Sequence, residues 1–398
     1  MNIIGIHAQD HFGVGGALRG YEMGEALQRL GHTILPVPPQ AHLWDDLGNG
    51  MKADAVILAG TWHQLTTNDA ACVKTAHACD RRKIPCIWWY GSNGSVFGCI
   101  HPDPAVRKKD EERIISVIAE RPFIGVICPY SMGIYERHGL PREKMRLIRS
   151  VFDADLFCPS ETSYDFRVTE RLKHKYGVPP YAFCIGTVGH TPNSKGGNEI
   201  IQAVALLKDE MPDLVYVILH TPRQMLSKVK ARSPDGKKIG KSEWDVLRDS
   251  QMLAQKLGVA DRVKFIGTRF PREAMPMFYR MLNVYCSPSK AENLGQPLVE
   301  SQLCGLPLVT FKGFSFDFVS CPDTAQQVEP HHTVTDDYGL VIPEADPATL
   351  ADAIRNARHM LATDRWTAEK TRGWARHRFH HHRAQAMLNA IEEMRGML

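Results

Sequence analysis

Ser287-Pro-Ser-Lys-Ala-Glu292-Asn-Leu-Gly-Gln-Pro-Leu-Val-Glu300-Ser-Gln-Leu-Cys-Gly-Leu-Pro307 is the stretch from which the chain is read. It begins inside a short apolar run, 283–289, of the kind that forms a strand buried on both faces. Pro297 suits the first turn of a helix, where a missing N–H costs nothing, and Gly305 suits the end of one. The stretch therefore predicts strand, loop and helix, with Glu292 in the loop and Glu300 near the helix start. Backbone N–H groups around Gly295 would lie close to the helix N-terminus, a favourable place for an anionic or hydroxyl-rich ligand. A carboxylate there can accept two hydrogen bonds from a vicinal diol. The same spacing also fits a plain turn followed by a helix with a favourable acidic residue.

The strand–helix rhythm extends outward in both directions. Apolar runs at 182–189, 215–221, 262–267, 283–289 and 306–311 alternate with amphipathic stretches. An earlier series at 3–8, 33–37, 55–60, 86–90 and 125–130 does the same, with helical spacing at Met23, Ala26, Leu27 and Leu30 closed by Gly31. Near-continuous apolar strands separated by helices predict parallel sheets covered on both faces. Two such series predict an α/β chain of two Rossmann-like, doubly wound domains facing a central cleft, where ligands of open α/β sheets bind. The expected domains are 1–155 and 181–365. Residues 156–180, with Pro159, Pro179 and Pro180, read as the linker. Residues 366–398 read as a helical segment packing back on the first domain. Residues 227–245 are Lys-rich around Pro234-Asp235-Gly236 and read as an insertion loop.

Composition narrows the class. The chain has 398 residues, 43% hydrophobic and 23% charged, with a net charge of +4. That length suits two domains with cores large enough to need no covalent staples. No apolar run approaches the ~20 residues of a membrane span. Met1-Asn-Ile-Ile-Gly-Ile-His7 runs straight into strand-like sequence, without the basic start and cleavage site of a secretory leader. The ten cysteines include no CxxC pair, so no zinc framework is expected. Several (Cys86, Cys128, Cys184, Cys286) sit in apolar runs and read as reduced core thiols. These features predict a cytoplasmic protein with no integral membrane segment, with peripheral attachment to a membrane still open. Residues 165–285 carry 20 Lys and Arg against 12 Asp and Glu, whereas residues 1–150 carry 17 against 15. A modest surplus in the second half suits a phosphate-bearing small ligand better than a nucleic-acid surface, which shows a denser basic patch.

Four segments together carry a family resemblance. Glu292 and Glu300, with seven residues and a Gly-rich link between them, precede a helix ending in Cys304-Gly-Leu-Pro307. Phe12-Gly-Val-Gly-Gly16 precedes a helix and Leu30-Gly-His-Thr33. Leu147-Ile-Arg-Ser-Val-Phe-Asp153-Ala-Asp-Leu-Phe157 leads into the linker. Gly186-Thr-Val-Gly-His190-Thr-Pro-Asn-Ser-Lys195-Gly196 forms a strand and loop. The set resembles the retaining glycosyltransferases of the GT-B fold, family-4 type, over most of the chain. The resemblance implies an NDP-sugar as co-substrate and no essential metal or other cofactor. It gives Glu300 the donor ribose hydroxyls and Glu292 the sugar being transferred. Asn293, Leu294, Gly295 and Gln296 would hold that sugar. Lys195 would face the diphosphate, as the second catalytic residue. Gly15 and Gly16 would let the first-domain backbone approach the same phosphates. The base would lie near 267–269, with Arg269 close to the donor.

Two departures from the family stand out. His190 occupies a position where the family usually has Arg; a protonated His190 could replace that cation, which predicts a pH dependence, and Arg269 or Arg223 are alternative sources of charge. The histidine that many members carry at a first-domain strand end is missing from Trp88-Trp-Tyr90-Gly-Ser-Asn-Gly94. Tyr90, Ser92 and Asn93, with His63 beside Trp62, are the acceptor-side candidates, against ordinary strand-end packing. The acceptor is open among a glycan, a lipid-linked glycan, a small metabolite and a modified nucleic-acid base. The sequence does not set the oligomeric state.

Two other classes fit parts of the sequence. One is a non-catalytic nucleotide-sugar or glycan-binding protein of the same fold. The other is a nicotinamide-dependent oxidoreductase, from Gly13-Val-Gly15-Gly16. Its expected acidic residue is absent from the second strand end, Pro36-Val-Pro38-Pro39. His380-His-His382, placed on a helix, is expected to fan its rings into solvent rather than bind a metal.

Overall fold

The computed structural model describes residues 1–7, 15–37, 47, 50–60, 71–90, 112, 115–160, 162–189, 195–220, 243–268, 270–290, 292–335, 341–363 and 368–398. Six parallel strands build the first sheet: β1 (Asn2–His7), β2 (Thr33–Val37), β3 (Ala55–Gly60), β4 (Cys86–Tyr90), β5 (Ile124–Val126) and β6 (Met145–Leu147), in the order β2-β1-β3-β4-β5-β6. Six more build the second: β7 (Phe183–Gly189), β8 (Leu214–His220), β9 (Val263–Ile266), β10 (Val284–Cys286), β11 (Leu308–Phe311) and β12 (Ala325–Val328), in the order β12-β11-β10-β7-β8-β9. A separate antiparallel pair joins β13 (His332–Thr335) to β14 (Val341–Glu344). The second sheet runs outward from β7 through β8 to β9, then restarts at β10 on the other side of β7. The connections after β7 and β10 leave in opposite directions there, the place where open α/β sheets bind ligands.

Helices cover the sheets. The described ones are α1 (Gly15–Arg29), α2 (Ala71–Arg81), α3 (Pro129–Arg137), α4 (Ser163–Lys175), α5 (Gly197–Leu207), α6 (Glu243–Lys256), α7 (Met275–Arg280), α8 (Gln296–Leu303), α9 (Phe316–Val319), α10 (Pro347–Ala362), α11 (Ala368–Phe379) and α12 (Gln385–Met397). Every residue of β8, Leu-Val-Tyr-Val-Ile-Leu-His, is buried, which is why its apolar run shows no alternation. Gly31, at φ +85°, ends the α1 segment in the left-handed conformation glycine tolerates. Among the described residues no helix is long and apolar enough to cross a membrane.

The structure differs from the sequence reading in five places. The expected strand at 125–130 stops at Val126, and Pro129 instead opens α3, since its ring fixes a helical φ and it has no N–H to lose. The segment 156–180 contains α4, started by a capping box in which the Thr162 hydroxyl accepts from the Asp165 N–H and the Asp165 carboxylate accepts from the Thr162 N–H. The Lys-rich segment ends at Glu243, where α6 begins; residues 227–242 lie outside the described part. The C-terminal helical stretch is broken at His380, which forms a parallel bridge with Phe152, and a 3₁₀ turn follows. The three histidines therefore gather instead of fanning out: the His380 and His382 Nδ1 atoms are 2.8 Å apart, and the His380 and His381 rings are 3.7 Å apart between centroids. Burial, then the neighbouring His381 and His382, pushes His380 down to about 4.

At that point the chain passes twice between the two halves. The Phe152 N–H donates to the Phe379 carbonyl at 2.8 Å. Beyond it, α12 lies against the first sheet: Arg146 Nε donates to Glu393 at 2.9 Å and Arg395 to the Asp54 carbonyl at 3.2 Å.

Candidate functional site

The quoted stretch folds as strand β10, a loop, and helix α8. Gly295 is the N-cap, at φ 72°, ψ 74°, and proline follows in the first turn. The left-handed turn is needed because the chain reverses within a few residues, and a Cβ at Gly295 would meet Leu298 Cδ1 at 2.5 Å. Glu292 ends up in the loop, and Glu300 one turn into the helix with its residue only 4% exposed. Its carboxylate accepts a short hydrogen bond from the Tyr279 hydroxyl. Burial raises Glu300 to about 6, against the Tyr279 bond and the Arg272 cation, both of which lower it.

Lys195 approaches from the neighbouring strand, β7. It follows β7 and stands just before α5. Gly189, at the end of β7, makes room: a Cβ there would lie 2.5 Å from Lys195 Cγ. Gly196 makes the second accommodation, at φ +72°, under the Pro288 carbonyl. Lys195 Nζ thereby pairs closely with Glu292 Oε1 and donates to Ser289 Oγ at 3.3 Å. A neighbouring cation, Lys290, is held away by Glu199 at 2.7 Å and Glu344 at 3.6 Å. The N-termini of α5 and α8 both stand at this edge, adding partial positive charge.

The first half reaches the same loop. Cys128, the N-cap of α3, donates its thiol to the Asn293 carbonyl at 3.1 Å, and Ser131 Oγ makes a short bond to Asn293 Oδ1. Asn293 Nδ2 and Gln296 Nε2 are buried and have no acceptor among the described residues. A buried donor left unpaired costs about 1–3 kcal/mol, so the loop carries two amides suited to a ligand's oxygens. A second bridge joins the halves nearby. Arg272, before α7, donates to Glu22 Oε1 of α1 from Nη2 at 2.7 Å and from Nε at 3.3 Å.

The structure thus brings Glu292, Lys195, Glu300 and Asn293–Gln296 to one edge of the second sheet. Gly15 and Gly16 open α1 in the first half. Gly267 follows β9, and a Cβ there would lie 3.7 Å from His220 Nε2. Tyr90 is the last residue of β4, its side chain outside the described part. His190, Arg269, Arg223, Trp62, His63, Ser92 and Asn93 also lie outside it. Among the described residues no group of three or more His, Cys, Asp or Glu is placed to hold a metal. Ser131, Tyr279, Arg272 and Glu22 were not singled out by sequence, and Cys128 was read only as a core thiol. Apart from Tyr279, 21 positions from Glu300, each acts across a long chain separation, 250 residues for Glu22 and Arg272, and no local spacing marks such a pair.

Two six-stranded parallel sheets with a loop–helix site at the switch point of the second define a GT-B fold, and solved structures agree. Anabaena HepE in complex with UDP and glucose matches at a TM-score of 0.72 over 99% of this chain and 100% of that one, with 16% identity. Sucrose-phosphate synthase from Thermosynechococcus elongatus matches at 0.70 over the whole of both chains, with 17% identity. Residues 168–372, just over half of the chain, match the family model for glycosyl transferases group 1, and the protein belongs to that family. Among sequence relatives, D-inositol 3-phosphate glycosyltransferase of Corynebacterium jeikeium is 32% identical over 165 residues, 42% of this chain and 35% of that one. The Corynebacterium kroppenstedtii enzyme of the same name is 24% identical over 255 residues, 64% and 49% respectively. The chain thus matches from about a third to half the length of these two relatives.

Proposed function

We propose that the protein moves a sugar from a nucleoside diphosphate sugar to an acceptor hydroxyl with retention at the anomeric carbon, as a family-4-type glycosyltransferase. The observation that supports this best is the Lys195–Glu292 pair, set beyond the paired strands β7 and β10 and between the N-termini of α5 and α8. Glu300 takes the donor ribose diol, and the loop Asn293–Leu294–Gly295–Gln296 takes the sugar beside Glu292. Lys195 faces the diphosphate, where charge grows as the bond from the anomeric carbon to the phosphate oxygen breaks; a fixed cation there acts more on the transition state than on the ground state. The acceptor oxygen forms its bond on the face that the nucleotide leaves, and the departing phosphate oxygen takes the acceptor's proton. Lys195 and the two helix N-termini handle the phosphate charge without an essential metal. Gly15 and Gly16, His190 and Arg269 are further donor contacts in this proposal. Tyr90, Ser92, Asn93 and His63 are its acceptor side. Its place of action would be the cytoplasm.

HepE was solved with UDP-glucose, so UDP-sugars are the first donors to test, followed by GDP-, ADP-, CDP- and TDP-sugars in a thermal-shift screen. Glycans, lipid-linked glycans, small metabolites and modified bases then serve as acceptors. NMR of the product should show the donor's anomeric configuration preserved, and Glu292→Gln should lose most of its kcat while remaining folded. An inverted product, or wild-type turnover in Glu292→Gln, would sink the assignment.

A further inference from the structure

We propose that Arg149 and Arg378, packed against the Phe318 ring where the two halves join, form a binding site for a phosphate group, apart from the Lys195–Glu292 pair. Three segments meet there. Arg149 follows β6 of the first half, Phe318 lies in α9 of the second, and Arg378 stands at the end of α11, on the returning chain. The Arg149 guanidinium carbon lies 5.3 Å from the Phe318 ring centroid. That of Arg378 lies 4.9 Å from the same centroid and 5.0 Å from that of Trp374. Aromatic rings thus hold both cations. Among the described residues neither has an ion pair or a hydrogen bond, and the Nε of each is buried without an acceptor.

A carboxylate would ordinarily be expected beside such groups. Those close in sequence are committed elsewhere: Asp317 accepts from the Gly313 N–H at 2.7 Å, and Asp153 from Arg29 at 2.9 Å. Arg383, which donates to the His377 carbonyl at 3.0 Å, adds a third positive charge. Burial, then Arg378 and Arg383, holds Arg149 below the usual arginine range. Like charges gathered in a half-buried place repel one another. An oxygen anion between them relieves that repulsion, and the planar guanidinium forks suit phosphate oxygens. A phosphate dianion answers several cations better than a singly charged carboxylate does. The place also adjoins the candidate site. The Phe318 N–H donates to the Ser315 carbonyl, and Ser315 Oγ donates to the Glu292 carbonyl at 3.1 Å. Phe318 therefore stands one turn of α9, roughly 5 Å, from the contact that holds the Glu292 loop. The phosphate is either carried by the acceptor or free in solution; both present the same oxygens.

Inorganic phosphate is the first probe, titrated calorimetrically into the whole chain, and this titration does not depend on the donor reading. The wild type should bind it and gain thermal stability. The double variant Arg149→Gln/Arg378→Met should bind it at least about tenfold more weakly, having lost two charge-assisted partners. That variant removes like charges and strands none, so it should stay folded in phosphate-free buffer; Arg149→Gln alone gives a second reading of the same loss. Lys195→Ala should bind phosphate as the wild type does. With the donor found in the screen, phosphate that competes with a phosphorylated acceptor assigns the group to the acceptor. Phosphate that changes kcat without such competition assigns it to a free effector. No binding by the wild type, or equal binding in the double variant, would overturn the inference. Binding lost in Lys195→Ala and kept in the double variant would also overturn it, placing the anion at the donor site and leaving the donor reading standing.

Discussion

Gly196→Ala adds one methyl group next to Lys195, and the structure divides its effect into two parts. Gly196 has φ +72°, and a Cβ there would stand 2.5 Å from both the carbonyl oxygen and Cγ of Pro288. The left-handed conformation alone costs a residue with a side chain about 1–2 kcal/mol. Because the Pro288 oxygen is backbone, the loop must retreat by about 0.9 Å, from 2.5 to 3.4 Å, to reach ordinary contact; overpacking of this kind costs about 1–3 kcal/mol. The expected loss of stability is therefore about 2–5 kcal/mol. Gly258→Ala is the matched control, with φ +68° and nothing within 4 Å of its added Cβ, and should show only the first part. The retreating loop carries Ser289 and leads to Glu292, the two partners of Lys195. A displacement near 1 Å can cost about 100-fold in rate, so turnover should fall at least about tenfold in Gly196→Ala and hold in Gly258→Ala. Urea midpoints at equal slopes, with turnover of the donor found in the screen, measure both effects. If the two variants lost the same stability, the close approach of Pro288 would be refuted, and with it the placement of Lys195.

Lys195→Ala should lower kcat by about 10²–10³, the loss expected for one preorganised donor at a developing charge; a change confined to KM would show that Lys195 binds ground and transition states alike. Glu22 is raised from 4.5 to about 8, by burial above all. In that window the folded chain holds a proton that the unfolded chain releases, so the contribution is complete below pH 4.5 and lost toward pH 8. Wild type should accordingly lose stability from pH 5 to 8 relative to Glu22→Gln, and a constant difference in melting temperature would count against the shift. Gly305→Ala should cost more than Gly258→Ala, since φ is +86° and its Cβ would meet Ala368 Cβ at 2.8 Å; paired thermal melts compare them.

The sequence made the fold legible because strands buried on both faces leave continuous apolar runs. β7, β8 and β11 announce themselves in this way. Strand β12, Ala-Gln-Gln-Val, does not: it lies at the sheet's edge, half-buried and half polar, so nothing in its composition demands burial. β6 is three residues long, too short to show a pattern. Near the candidate site, the loop at Glu292 and the helix holding Glu300 were readable from Pro297 and Gly305, whereas Lys195 was reached only through the family resemblance. Cys128, Ser131 and the Glu22–Arg272 pair depend on the two halves meeting, and contacts between distant segments leave no local periodicity. The histidine run went astray for a related reason. Its helix is cut at His380 by pairing with Phe152, 228 positions away in the chain.

That pairing has a mechanical consequence. Two crossings of the chain lie side by side, joined by the bond from Phe152 to Phe379. A single tether would let one half swivel about a point in any direction. Two tethers fastened together define a line, and turning about that line strains neither of them, whereas sliding along it breaks the bond between them. The halves are thus guided like the covers of a book on its spine. The Asn293 contacts with Cys128 and Ser131, and the Glu22–Arg272 clamp, are places where the pages touch.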